Sequence, residues 1–109
     1  MYKFKSRVTG DLIMLEPNGR QMLKILGRGD TPSMDKGILE PVDMPAAIAA
    51  LEAAIAADEQ RRREAEAKAL EEGLTLPTSE GISLRQRATP LIAMIRRCMA
   101  ADKEIVWGV

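Results

Sequence analysis

Residues 44–57 read MPAAIAALEAAIAA, and residues 58–72 continue the same segment as DEQRRREAEAKALEE. The segment has no glycine, its one proline falls in the first turn, and Asp43 precedes it as a candidate N-cap. Four aliphatic side chains recur at helical spacing on one face: Met44, Ile48, Leu51 and Ile55. Beyond Ile55 the same face meets charged side chains. The segment therefore predicts one long helix, and only its first half has a face to bury.

The length of this helix determines the expected domain organisation. At about 1.5 Å per residue, a helix over residues 44–72 is roughly 43 Å long, whereas a domain of about 100 residues has a radius of gyration of about 13 Å. The charged half is stabilised by pairs four residues apart, such as Asp58 with Arg62. We expect a single domain over residues 1–109, from which a charged half-helix and loop, residues 58–81, protrude.

Strand patterns flank the long helix. Residues 2–8 alternate apolar and basic side chains, and the apolar run at residues 12–15 follows a turn, so the two predict a hairpin. Residues 105–107 predict a last strand, placed beside the first. The expected fold is α+β, with a small antiparallel three-stranded sheet covered on one face by the long helix and a kinked C-terminal helix. Residues 38–39 are either a stub of strand or part of the core.

Two further helices complete the prediction. A short helix is expected over residues 18–26, and Ser83 with Gln86 forms a capping-box pattern for the last helix. Pro90 lies within that last segment. Either the helix restarts there with Thr89 as its cap, or it continues with a kink, and its unbroken apolar face favours the kink.

The composition limits the class of protein. The chain has 109 residues, of which 46% are hydrophobic but only three are aromatic, so we expect an aliphatic core. It has one cysteine, which excludes a disulfide framework, and no signal-peptide pattern follows Met1. Its apolar runs are shorter than the roughly 18 residues that a membrane span needs. We therefore expect a cytoplasmic protein with no membrane segment.

Few residues suggest catalysis. The chain has no histidine, so the commonest general base and metal ligand are missing. Cys98 lies late on an apolar helix face, where a buried, inert thiol is expected. The carboxylates of the charged half-helix have basic neighbours and no apolar surroundings. We predict no enzymatic activity, cofactor or metal; an enzyme built on lysine, arginine and carboxylate groups is a third hypothesis.

The first functional hypothesis is a non-catalytic protein-interaction or self-associating module. The long helix carries small side chains that allow a second helix to approach closely, and it is too long for its own core. The residues predicted to self-associate are Ala46, Ala50, Ala53, Ala54 and Ala57. The expected partner is another protein or a second copy of the chain.

The alternative is an anionic ligand or nucleic acid bound by basic side chains. Charge is uneven along the chain, with basic terminal segments and an acidic middle, although 16 basic and 16 acidic residues balance overall. The candidate anion-binding residues are Arg85, Arg87, Arg96 and Arg97 on the last helix, and Lys3, Lys5 and Arg7 on the first strand. No aromatic side chains interleave with them, and the net charge is zero, so nucleic acid is the less favoured partner.

Five segments together resemble a known family. They read YKFKS at 2–6, GDLIMLEPNGRQML at 10–23, MPAAIAALEAAI at 44–55, SLRQRATPLIAMIRR at 83–97 and ADKEIVWGV at 101–109. They are similar to a family of short, uncharacterised bacterial proteins catalogued as a domain of unknown function. The resemblance implies a free-standing, cytoplasmic bacterial protein, and it brings no catalytic residue, substrate or cofactor.

Overall fold

The computed structural model describes residues 1–30, 34–73 and 83–109, and its elements form an α+β fold. The strands are β1 (Tyr2–Lys5), β2 (Leu12–Met14), β3 (Gly37–Leu39) and β4 (Ile105–Trp107). The long helices are α1 (Glu16–Ile25), α2 (Met44–Glu71) and α3 (Leu84–Ala101), and a short 3-10 helix, Pro41–Asp43, leads into α2. No helix in these described ranges is long and apolar enough to cross a membrane.

The sheet has four antiparallel strands in the order β2-β1-β4-β3. The predicted hairpin of β1 and β2 is confirmed, and so is the placement of the last strand beside the first. The predicted count of three strands is wrong, because β3 adds a fourth at the outer edge of β4, with Ile38 opposite Val106. A three-residue strand has too little alternation to be recognised locally, and its strand geometry comes from pairing with a distant segment.

The helices cover one face of this sheet, and the core lies between the two layers. The sheet contributes the buried side chains Tyr2, Phe4, Met14, Leu39, Ile105 and Trp107. The helices contribute mainly aliphatic side chains, among them Met22, Leu23, Met44, Leu51, Leu91 and Ile95. Because strand side chains alternate between faces, the residues between these buried ones point to the opposite side of the sheet.

Helix α2 packs on the core through its first half. Four of its buried residues lie there, Met44, Ala47, Leu51 and Ile55, and Ala69 is the one buried residue of the second half. At about 1.5 Å per residue, its 28 residues span roughly 42 Å, whereas the molecule measures 52 Å in its longest dimension and 25 and 24 Å in the others. Residues 74–82, which include most of the loop in the predicted 58–81 protrusion, lie outside the described residues.

The start of α2 differs from the prediction. The Asp43 side chain makes no capping hydrogen bond, so its predicted role as an N-cap is wrong. The 3-10 turn gives Asp43 a helical backbone conformation instead of the extended one that an N-cap side chain needs. Its carboxylate lies 3.7 Å from the Arg28 guanidinium.

Helix α3 runs without interruption through Pro90. Ser83 and Gln86 form the predicted capping box at its start, with side-chain and backbone contacts in both directions. The alternative of a restart at Thr89 is not observed, because Thr89 and Pro90 both lie inside the helix. The Thr89 hydroxyl donates to the carbonyl of Arg85 at 2.6 Å, so one backbone acceptor of that turn is satisfied by a side chain.

Candidate functional site

The face of the sheet turned away from the helices has apolar side chains exposed to solvent. We call this surface the open face. Ile13 on β2 is 52% exposed, and Ile38 on β3 is 44% exposed. Between them Val106 is half-buried and pairs with both Ile38 and Lys5. The open face thus combines the apolar character of an interior surface with exposure to solvent, which is typical of a binding surface.

Charged side chains divide the open face into two ends. The basic end consists of Lys3 and Lys5, and neither forms an ion pair with a described residue. The acidic end consists of three carboxylates that surround a shallow depression beside Ile38 and Val42: Glu40, Asp102 and Glu104. Arg7 lies 3.7 Å from Glu104 and partly neutralises that end. Two of the seven predicted anion-binding residues, Lys3 and Lys5, therefore share one end of the open face, whereas Arg7, which follows β1, lies at the other end.

Two of the predicted arginines, Arg85 and Arg96, are exposed and form ion pairs with carboxylates of α2. Arg85 donates two hydrogen bonds to the Glu59 carboxylate, at 2.9 and 2.7 Å. Arg96 donates to Glu52 at 2.8 Å. The bidentate contact lowers the pKa of Glu59 and raises the pKa of Arg85, through the hydrogen bonds first and the charge attraction second. Both guanidinium groups thus have carboxylate partners on α2.

The other two arginines of α3 lie on different sides of the helix. Arg87 is half-buried and donates from Nη1 to the side-chain oxygen of Asn18 at 2.9 Å, while its buried Nε has no hydrogen-bond partner among the described residues. Arg97 is exposed and borders an open groove with Leu12 and Met94. The four arginines therefore do not converge on one site, and none of them joins the basic end of the open face.

The predicted self-association residues form a stripe on α2, but they differ in exposure. Ala46, Ala53 and Ala57 are exposed, and Ala50 is half-buried. Ala54 is half-buried and packs against the core, so it faces inward. The exposed part of the stripe is turned away from the buried residues of the same helix.

The described residues contain no group of three or more carboxylate, cysteine or histidine side chains placed to hold a metal ion. Cys98 is fully buried, and its thiol donates to the Ser6 hydroxyl at 3.0 Å. Ser6 occupies the apolar register of β1, as its position in the alternating segment predicts.

The exposure of Ile13 and Ile38 on the open face is not among the features that the sequence predicts. The run at residues 12–15 predicts a strand but not the face that Ile13 occupies, and residues 38–39 predict either a stub of strand or part of the core. The signal that could have found Ile13 is alternation, because Met14 is buried and its neighbours must then point outward. Ile38 gives no such local signal, since its exposure depends on the pairing of β3 with β4.

Comparison with known proteins gives a family and no activity. No curated protein and no solved structure matches the chain. The family described as Domain of unknown function (DUF1840) matches residues 1–107 of the 109. The match covers β1 to β4, so it includes the core and the open face together. The chain therefore belongs to the DUF1840 family.

Proposed function

We propose that this protein is a non-catalytic interaction module that binds another protein chain through the open face. The observation that carries this proposal is the exposure of Ile13 and Ile38 on a sheet whose opposite face is packed by helices. Burial of one aliphatic side chain is worth about 1.5 to 3 kcal/mol. A partner that covered the open face would gain part of this free energy for each such residue.

The alanine stripe of α2 is the competing surface. Ala46, Ala53 and Ala57 are exposed and small, which permits close approach of a second helix. Alanine side chains bury little area, however, so the stripe offers less apolar surface than the isoleucines of the sheet. Substitution of Ala53 by glutamate tests this surface without disturbing the core, whereas the same change at Ala54 would disturb core packing.

Site-specific photo-crosslinking in cells tests the proposal. A photoreactive amino acid replaces Ile13 or Ile38 on the open face, and Arg97 on α3 serves as an exposed control position. Adducts with a protein chain are expected at the first two positions and not at the third. If neither open-face position yields a protein adduct, the proposal is wrong.

Binding of an anionic ligand or nucleic acid remains the alternative, and Lys3 and Lys5 support it because they form no ion pair with a described residue. The other charges of the open face favour anion binding less than binding of a protein chain. Glu40 and Glu104 lie on the same face, where they would repel phosphate groups. A mobility-shift assay discriminates, because phosphate contacts lose affinity steeply as salt rises.

A further inference from the structure

The two charged ends of the open face lie at opposite ends of the strands. Lys5 is opposite Val106 in the antiparallel pairing of β1 with β4. Lys3 therefore lies two residues toward one end of the face, and Glu104 lies two residues toward the other. Glu40 accompanies Glu104, because β3 and β4 are antiparallel as well. The face thus carries Lys3 and Lys5 toward one end and Glu40 and Glu104 toward the other. Glu16 and Asp35 line a depression beside the two lysines.

This polarity discriminates between possible partners. An acidic partner or a nucleic acid would be attracted by Lys3 and Lys5 but repelled by Glu40, Asp102 and Glu104. A basic partner would be attracted by these carboxylates but repelled by the two lysines. A second copy, rotated about a two-fold axis that lies in the plane of the contact and runs obliquely across the strands, places its acidic end on the basic end of the first copy. Each such contact then occurs twice, as in every isologous interface.

The apolar residues lie on the two edge strands of the face, Ile13 on β2 and Ile38 on β3. Ile13 is opposite Lys3 and so belongs to the basic end. Ile38 and the 79% exposed Val42 border the depression at the acidic end. The rotation that brings opposite charges together therefore also brings apolar side chains of the two copies toward each other. Charge and hydrophobic contacts select the same arrangement.

We infer that the open face binds the open face of a second copy about a two-fold axis, with Lys3 and Lys5 of each protomer over Glu40 and Glu104 of its partner. This inference rests on the proposed function and names the partner chain. The two lysines and the two glutamates of this contact carry opposite charges in equal number. Lys3 and Lys5 thereby obtain the carboxylate partners that the described residues of their own chain do not provide.

The area of the face sets the strength of this contact. Four strands about 4.8 Å apart, each with three to four residues of about 3.3 Å, cover roughly 200 Å², compared with the ~800 Å² per partner of a standard interface. Side chains at the rim, such as Leu15 and Val42, enlarge it only partly. The dimer is therefore weak, forms at high protein concentration and dissociates on dilution.

Sedimentation velocity over a wide range of protein concentration tests the inference. The wild-type chain is expected to shift from monomer to dimer as concentration rises, with weaker association in high salt. Lys3→Glu and Glu40→Lys each place like charges together twice in the dimer, so each is expected to weaken association about tenfold or more. The double variant restores opposite charges at both contacts and is expected to recover most of the lost affinity.

Two control variants make the outcome decisive. Arg97→Glu makes the same charge change as Lys3→Glu on a different surface and is expected to leave association unchanged. Ala53→Glu alters the stripe of α2 and is likewise expected to have no effect. A strictly monomeric wild-type chain, a double variant that fails to recover, or a loss caused by either control would overturn the inference. A monomer that still forms crosslinks with another protein at Ile13 would refute the second copy and leave the proposed function standing.

Discussion

Substitution of Gly37 by alanine should destabilise the fold through a single methyl group. Gly37 lies in β3 opposite Trp107 of β4. A Cβ atom built at Gly37 overlaps the indole ring and lies only 2.7 Å from Trp107 Cε2. The ring cannot easily move away, because Trp107 is 1% exposed and packs against Phe4 at a centroid distance of 6.0 Å. Either the ring shifts within a packed core, or β3 separates from the sheet.

The expected cost follows from the packing of this site. Forcing an extra methyl group into a well-packed core costs about 1 to 3 kcal/mol. For a domain of about 100 residues, that loss lowers Tm by roughly 5 to 20 °C. Trp107 is the only tryptophan of the chain, so tryptophan fluorescence reports on the surroundings of this ring. The variant should show a lower Tm and emission shifted to longer wavelength as water reaches the ring.

Gly10→Ala is the matched control. No atom lies within 4 Å of a Cβ built at Gly10, and its backbone does not need a positive φ. The free energy of unfolding of this variant should stay within about 1 kcal/mol of the wild-type value, because the substitution acts mainly on the unfolded chain. Its Tm should therefore stay close to that of the wild type. If Gly37→Ala unfolds at the same temperature as Gly10→Ala, with unchanged emission, then β3 does not pack over Trp107 and the four-stranded sheet is wrong.

Three further outcomes follow from the packing and the charges. Leu51→Ala leaves a cavity at a fully buried position of α2 and should lower the free energy of unfolding by about 2 to 5 kcal/mol in urea denaturation. Ser83→Ala removes the capping box of α3 and should cost about 1 kcal/mol in the same assay. The pKa of Glu59 is lowered by Arg85, so this pair stabilises the fold above the unfolded pKa of a glutamate. That contribution should disappear as pH falls through the pKa of Glu59 in the folded protein. In Glu59→Gln, the part of the pH dependence of Tm that comes from this pair should be absent.

The sequence predicted those elements whose signals are local. The capping box of Ser83 and Gln86 lies within one turn, and the aliphatic face of α2 repeats within a few residues. The predicted pairing of β1 with β2 and with the last strand is also confirmed. The hairpin and the last strand have sequence patterns that are typical of strands. The predictions that are wrong concern features that depend on contacts between distant segments. The strand character of β3 depends on its pairing with β4, and Asp43 loses its capping role through the turn that precedes α2.

The candidate site shows the same limit. The sequence identified Lys3 and Lys5 as the outer residues of β1, because alternation assigns a face to each strand residue. It could not bring Glu40 beside Glu104, since they meet only when β3 pairs with β4. Nor could it choose partners for Arg85 and Arg96, because the register of two helices depends on how their core faces interlock. Each of these contacts forms only when the strands have paired and the helices have packed together.

The strand order has a consequence for how the chain reaches this structure. β1 is synthesised first, yet one of its two neighbours, β4, follows about a hundred residues later. Until β4 arrives, a growing chain presents one unpaired edge of β1, and such edges can recruit strands from other molecules. Closing the sheet requires contacts of very large sequence separation, which slows folding compared with a helical bundle of equal size. The helices α1 and α2 can form before that closure, so we expect the insertion of β4 between β1 and β3 to be a late step of folding.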